Sequence, residues 1–296
     1  MFEKRSFPLV VALGLLLAGS SACVRREPPA SSAPPRRIIA MAPSLTETLV
    51  ALGLEDRVVG ITRYCPPVPG ATVVGGFLDP NYEAILALDP DLVVTMQSHD
   101  ELQRRLGDLG LDTLMVDQHD IAGVIASVAT IAARCGEARR GSELSASLQA
   151  GLDAVAMRVA GRNRSRVLVV VGREPGGGRI GTLWAAAPDT FFHDVVRLAG
   201  GTNALEDSGI RYPEISREGL LAIDPDVIFD VIADGGARRV VANEAAADWS
   251  RLADLRAVAA GRVYVMVEDH VVIPGPRVVD TVEDFARRLH PEVAWN

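Results

Sequence analysis

A short helix-then-strand stretch occurs twice in this chain, and that repetition limits it to a two-lobed build. The run from Asn81 to Val94 (NYEAILALDPDLVV) is echoed by the run from Ser216 to Phe229 (SREGLLAIDPDVIF). Aligning Glu83 with Glu218 brings Asp89-Pro90-Asp91 and Asp224-Pro225-Asp226 into register without a gap, 135 residues apart. In each copy a capping residue, Asn81 or Ser216, opens an apolar helix of about two turns. The residue before a proline avoids the α region, so each helix stops at its Asp-Pro. β-rich runs follow at once, Leu92 to Thr95 and Val227 to Val231. One unit used in both halves predicts two lobes of similar design.

The remaining pattern fits that frame. Ile38 to Met41, Arg57 to Ile61 and Thr113 to Val116 read as strands of the first half, and Arg166 to Val171 and Arg262 to Met266 as strands of the second. Ser44 and Glu47 have the spacing of a capping box opening a helix that ends at Gly53. Further helices are expected at Leu102 to Leu109, Ile121 to Cys135, Pro188 to Leu198, around Trp249 to Val258, and at Val278 to Leu289. Strands alternating with helices predict an α/β fold built on parallel, doubly wound sheets. Glu137 to Val159 breaks the rhythm: Leu144, Leu148, Leu152, Val155 and Val159 fall at helical spacing with no intervening proline. A helix of this length spans about 35 Å. It is either a rigid spine between the lobes or a long surface helix of the first lobe. The glycine-rich run Gly172 to Gly181 has neither a P-loop ending nor a dinucleotide fingerprint, so it reads as a loop and not a phosphate site.

At 296 residues the chain has room for two real cores, and 48% hydrophobic with 23% charged residues is globular. Thirty Lys and Arg against 38 Asp and Glu leave a net charge of −8, with no basic block to hold nucleic acid. Lys4 and Arg5, the apolar run Leu9 to Ala18 and the small residues up to Ala22 form a secretory signal, expected over residues 1–22. The apolar run is short for a membrane span. Residues 24–35 are mostly Pro, Ser, Ala and Arg with little to bury, a disordered tether. The expected division is therefore a signal at 1–22, a tether at 23–35, an amino-terminal lobe at 36–136, a connecting helix at 137–161 and a carboxyl-terminal lobe at 162–296. An exported compartment permits Cys65 and Cys135 to pair; two buried thiols fit the sequence equally.

These residues together resemble the class III periplasmic binding proteins of ABC importers, the group that binds cobalamin, haem and ferric siderophores. The resemblance covers nearly all of Arg37 to His290. It is carried by Ala42-Pro43-Ser44-Leu45-Thr46-Glu47, Asp56-Arg57-Val58-Val59-Gly60, the Glu-bearing helix before Asp-Pro-Asp, Leu198-Ala199-Gly200-Gly201-Thr202-Asn203 and Gly261-Arg262-Val263-Tyr264. It implies two Rossmann-like lobes joined by one long helix, and within the group the chain looks most like the cobalamin-binding branch. Cys23 after small residues resembles a bacterial lipobox, although Ser20 stands where lipoproteins usually carry Leu. Cys23 is then the lipidation site, or cleavage is ordinary near Ala22. The protein implied is a periplasmic or outer-face receptor, held to the membrane only by its lipid. It is a monomer that captures a metal chelate and delivers it to a dimeric permease, with no cofactor of its own.

The resemblance also implies roles for residues. A glutamate at the place of Glu83 and of Glu218 docks into arginine pockets on the permease, one per subunit. The bland alternative is that each carboxylate only complements its helix dipole. The ligand is expected between the lobes, at loops following strand ends, with the aromatics Tyr64, Phe77, Trp184 and Tyr212 as flat walls. The family places such walls at the loops holding Tyr64, Phe77 and Tyr212. His270 is either an axial ligand to the bound metal or an ordinary loop histidine. Arg277 is a candidate partner for ligand carboxylates or amides. His99, His119, His193 and His290 show no metal-ligand spacing. Haem and ferric siderophores are the alternative ligands, and Arg63, Arg211 and Arg277 keep the siderophore open. An exported α/β hydrolase would need a nucleophile elbow, and no Gly-x-Ser-x-Gly occurs. An adhesive lipoprotein would leave the cleft closed.

Overall fold

The structure, a computed structural model, describes residues 33–97, 100–233 and 238–295. The expected signal, Cys23, most of the tether and His99 lie outside the described residues. Of the tether's last residues, Pro35 is buried and Pro34 lies against Gly136.

The first sheet holds β1 (Ile38–Ala40), β2 (Val58–Ile61), β3 (Thr72–Val73), β4 (Leu92–Met96) and β5 (Thr113–Val116) in the order β3-β2-β1-β4-β5, every pairing parallel. Its helices are α1 (Pro43–Ala51), α2 (Tyr82–Ala87), α3 (Asp100–Asp108) and α4 (Ile121–Arg134). After α5 (Ala138–Arg158) the second sheet follows, with β6 (Arg166–Gly172), β7 (Leu183–Ala185), β8 (Thr202–Asn203), β9 (Glu214–Ile215), β10 (Val227–Val231) and β11 (Val263–Met266). Its order is β11-β10-β6-β7-β9, with β8 also on β6. The strands β11, β10, β6 and β8 pair in parallel, while β7 runs antiparallel to both neighbours. Around it lie α6 (Phe191–Leu198), α7 (Arg217–Ile223), α8 (Arg238–Trp249), α9 (Arg256–Ala259), α10 (Asp269–Val272) and α11 (Val278–Leu289).

The duplicated unit is built the same way in both lobes. Asn81 and Ser216 each cap a helix by accepting the amide three residues on, from Ala84 and Gly219. Both helices end at an aspartate in the left-handed region, Asp89 at φ 42° and Asp224 at φ 41°. This conformation is disfavoured for L residues and needs outside support. An arginine supplies it each time: Arg37 donates to the carbonyls of Leu88 and Asp89, and Arg166 to those of Ile223 and Asp224. The second aspartate of each triplet then receives the start of the lobe's first strand. Asp91 accepts from the Arg37 amide at 2.9 Å, and Asp226 from the Arg166 amide at 2.8 Å.

The 21 residues of α5 span about 32 Å. Its buried face, Gly141, Leu148, Leu152 and Val155, packs against α4 of the first lobe and against α6 and α11 of the second. A Cβ at Gly141 would come within 2.3 Å of the Ala132 methyl, so glycine permits α4 and α5 to touch. The helix is the spine between the lobes, not a surface helix of one.

Two local expectations fail. Ser44 and Glu47 do not form a capping box: Ala42 is the N-cap, without a side-chain bond, and both side chains take distant partners instead. The expected helix from Trp249 to Val258 is two helices, α8 ending at Trp249 and α9 beginning at Arg256. Trp249 is buried, its indole N–H donating to Asp230 at 2.8 Å, and that anchorage ends α8. Cys65 and Cys135 are both free thiols, and Cys135 is fully buried.

Candidate functional site

Loops at the carboxyl ends of the strands of both lobes meet over two concavities. The larger, about 690 Å³, is bounded on one side by Glu47 and Val50 of α1 and by Arg63 to Val68 after β2, and on the other by Asp269, Ile273, Pro276 and Arg277. The smaller, about 350 Å³, lies among Met96, Gln97 and Asp117 to His119 of the first lobe and Phe191, Phe192, Arg211, Tyr212, Val272 and Pro274 of the second. Both border the same segment, α10 and the loop to α11, and together they form the interlobe cleft.

A buried hydrogen-bond chain sets the first-lobe wall. Ser44 donates to Gln118 at 2.6 Å, and the Gln118 amide donates to Ser127 at 2.8 Å, pinning the loop after β5 between α1 and α4. Asp117 and His119 flank that anchor and face the cleft. His119 Nδ1 is 2.8 Å from Asp117, and its Nε2 is 3.5 Å from Asp120 and 3.3 Å from Asp189 of the other lobe. The close approach of Asp117 foremost, with the nearby carboxylate of Asp120, raises the affinity of His119 for its proton. Asp189, bonded to Arg211 at 2.6 Å, is held below the ordinary carboxylate range.

Each arginine of the cleft has its own carboxylate. Arg63 meets Asp79 at 2.6 Å and lies 5.9 Å from the centre of the Tyr64 ring. Arg211 is held by Asp189. Arg277 reaches across the lobes to Glu47, its Nε at 3.1 Å from one oxygen and a second nitrogen on the other. Glu47 with Arg277, His119 with Asp189, and the Ile121 amide with Asp194 at 3.2 Å are three ties between lobes.

The structure brings Tyr64, Tyr212 and Arg277 to these concavities. Tyr64 is 62% exposed and Tyr212 45%, and local burial pushes the Tyr212 phenol up. Phe77 is half-buried, packed against the hydrophobic core and outside both linings. Trp184 is 45% exposed on β7, lying over Gly172, and also lines neither concavity. His270 turns toward α11, its Nε2 2.9 Å from Asp284, in a shallower depression shared with Arg277 and Arg287. Among the described residues no three His, Cys, Asp or Glu side chains group to hold a metal ion. Glu83 and Glu218 are exposed in the first turns of α2 and α7. Hydrogen bonds from its own amide and from Ser216 hold the Glu218 carboxyl below its ordinary range.

Sequence reasoning gave none of His119, Asp189, Glu47 and Phe192 a place in the cleft. The available signal for His119 was its place just after a parallel strand, in the same class of loop that singled out Tyr64.

The raised His119 affinity has a consequence for pH. A protonated imidazole is favoured in the folded chain, so its contribution is whole below the ordinary histidine range. It is lost as pH rises through the raised value. The melting midpoint is expected to fall slightly through this group as pH climbs from 6 to 8. Melting curves of His119→Gln should lack that step; an equal step in the variant would exclude His119 as its source.

Comparison with known proteins places this geometry. The chain matches the model of a periplasmic binding protein family over residues 38–269. It is 28% identical over 269 residues to an uncharacterized ABC transporter substrate-binding lipoprotein of Bacillus subtilis, covering 87% of this chain and 81% of that protein. It is 29% identical over 267 residues to a cobalamin-binding protein of Halobacterium salinarum, covering 86% and 70%. Among solved structures, the periplasmic vitamin B12 binding protein of Vibrio cholerae superposes with a TM-score of 0.73 at 25% identity, over 87% of this chain and 98% of that one. A periplasmic haem-binding protein in complex with two haems has the same TM-score at 27% identity, over 87% and 99%.

Proposed function

We propose, from the premise that the chain belongs to the periplasmic binding protein family, that it is the extracytoplasmic receptor of an ABC importer and carries a corrinoid, cobalamin above all, between its lobes. Proteins of this family bind and deliver; the reading contains no catalytic step.

One observation carries the choice of ligand. Among the described residues lining the cleft, every cation is already paired with a carboxylate of the chain: Arg63 with Asp79, Arg211 with Asp189, Arg277 with Glu47 and His119 with Asp117. Haem propionates or an anionic siderophore would have to break such pairs, leaving carboxylates beside an anion. A corrin ring presents neutral amides at its edge and a large flat face. Amides are satisfied by the carboxylates and guanidiniums as they stand, and the face suits Tyr64, Tyr212 and Phe192.

On this reading residues 36–136 and 162–296 are the lobes and 137–161 the connector. The spine, packed along both lobes, restrains their closure, and the interlobe ties adjust as the ring enters. Glu83 and Glu218 then seat the loaded receptor on a two-fold permease. Cys23 is the lipid anchor, residues 24–35 the tether, and the receptor works as a monomer.

The test is a titration of the mature protein with cyanocobalamin, haemin and a ferrichrome-type chelate, followed by visible absorbance and melting. Cyanocobalamin at a hundredfold over Kd should raise the midpoint by about 5–10 °C. Substituting both Tyr64 and Tyr212 by Ala should weaken it about tenfold to a hundredfold. A response to haemin alone would transfer the cleft to haem, and no response to any of the three would remove the receptor reading.

A further inference from the structure

A separate concavity of about 610 Å³ lies on the carboxyl-terminal lobe, and none of its lining residues borders the cleft. Its walls are the limb Gly178 to Thr182 of the glycine-rich loop, Arg217 at the start of α7, and Arg251 with Leu252 just beyond α8. Arg179, Arg217 and Arg251 all line it, and no acidic residue does. All three are exposed, and among the described residues none is in an ion pair. The cleft arginines, by contrast, are each paired.

The walls are fixed from behind. The buried carboxylate of Asp248 accepts the amides of Gly176 at 2.8 Å and Gly178 at 2.7 Å, and is itself held by Arg173 at 2.9 Å. Two of the loop's amides are therefore already occupied by a carboxylate of the chain. Gly178 has φ +68°, and a Cβ there would meet a guanidinium nitrogen of Arg251 at 3.2 Å, so the loop limb and Arg251 lie in contact.

Unpaired cations converging on a concavity, in a chain of net charge −8, mark a place that stabilises an anion. Guanidinium forks match phosphate oxygens in pairs, and three forks offer more donors than the two oxygens of one carboxylate accept. We propose that this concavity is a phosphate-group site, served by the side chains of Arg179, Arg217 and Arg251. Two sources have that chemistry, an anionic phospholipid headgroup and a soluble phosphate ester. Arg217 directly precedes Glu218, so the concavity borders the first turn of α7. The inference is independent of what the cleft carries.

The full chain is titrated with monomeric dihexanoylphosphatidylglycerol, its phosphatidylcholine counterpart, glycerol phosphate and a glutamate-rich peptide. The phosphatidylglycerol is expected to bind more tightly than the choline lipid and more weakly as salt rises. The triple variant Arg179→Gln, Arg217→Gln, Arg251→Gln should lose at least about tenfold, because it removes every cation that lines the concavity. Its melting midpoint, unchanged from wild type, shows that it folds. Binding of glycerol phosphate as strong as that of the lipid keeps the site and names a soluble ester as its source. Equal affinity for the two lipids, a peptide bound as well as either phosphate, or a triple variant with wild-type affinity overturns the site.

Discussion

Replacing Glu83 and Glu218 together by Ala is expected to reduce uptake at least tenfold while the isolated protein holds its ligand as tightly as before. Both carboxylates are exposed, both stand in the first turn of a short helix, and neither takes part in an ion pair among the described residues. Their service to the fold is the helix-dipole interaction, which is weak at exposed, solvent-screened sites, so the doubly substituted protein should fold and melt only slightly lower. What it loses is a matched pair of charges on structurally equivalent helices. Charge contacts at an interface rim act mainly on encounter and register, so single substitutions should reduce uptake less than the pair. Uptake by vesicles containing the importer, measured beside ligand affinity, separates the roles: a fall in affinity would put these glutamates in ligand binding, and unchanged uptake would end the docking proposal.

The largest stability effect is expected at Arg173. Its side chain is 3% exposed and lies between Asp230 and Asp248, each 1% exposed. It donates twice to Asp230, at 2.9 and 2.6 Å, once to Asp248, and once to the Ala245 carbonyl, with its guanidinium 5.5 Å from the centre of the Trp249 ring. Asp230 Oδ1 is buried without a partner even so. Arg173→Met strands two buried carboxylates, a change that costs about 3–5 kcal/mol, or roughly 6–20 °C in the melting midpoint. Adding Asp230→Asn and Asp248→Asn should return part of that loss, because the uncompensated charge goes with them. If Arg173→Met alone melts like wild type, the buried ions are not what joins α8 to the glycine-rich loop.

Much of the frame was legible in the chain because it is written in local pattern. The repeated capped helix and its Asp-Pro-Asp stop predict two equivalent units, and the structure builds both with the same arginine support, Arg37 and Arg166. The apolar stripe from Leu144 to Val159 marks the spine because a buried helix face needs that spacing. Partner choice across the lobes is a different matter. Ser44 and Glu47 satisfy the local capping pattern, yet Ser44 bonds Gln118 and Glu47 bonds Arg277, 74 and 230 residues away. No periodicity encodes which loops the spine brings face to face, so the interlobe pairs of Glu47 and His119 were invisible. Strand β7 escaped for another reason: three residues are too few to show alternation.

The most direct measurement is a crystal structure of the mature protein with cyanocobalamin. Corrin density between the two lobes, bordered by Tyr64 and Tyr212 with the cleft arginines still on their carboxylates, is the expected result. Ligand bound outside the interlobe cleft, or a cleft that stays empty at saturating cyanocobalamin, would contradict capture of a corrinoid between the lobes.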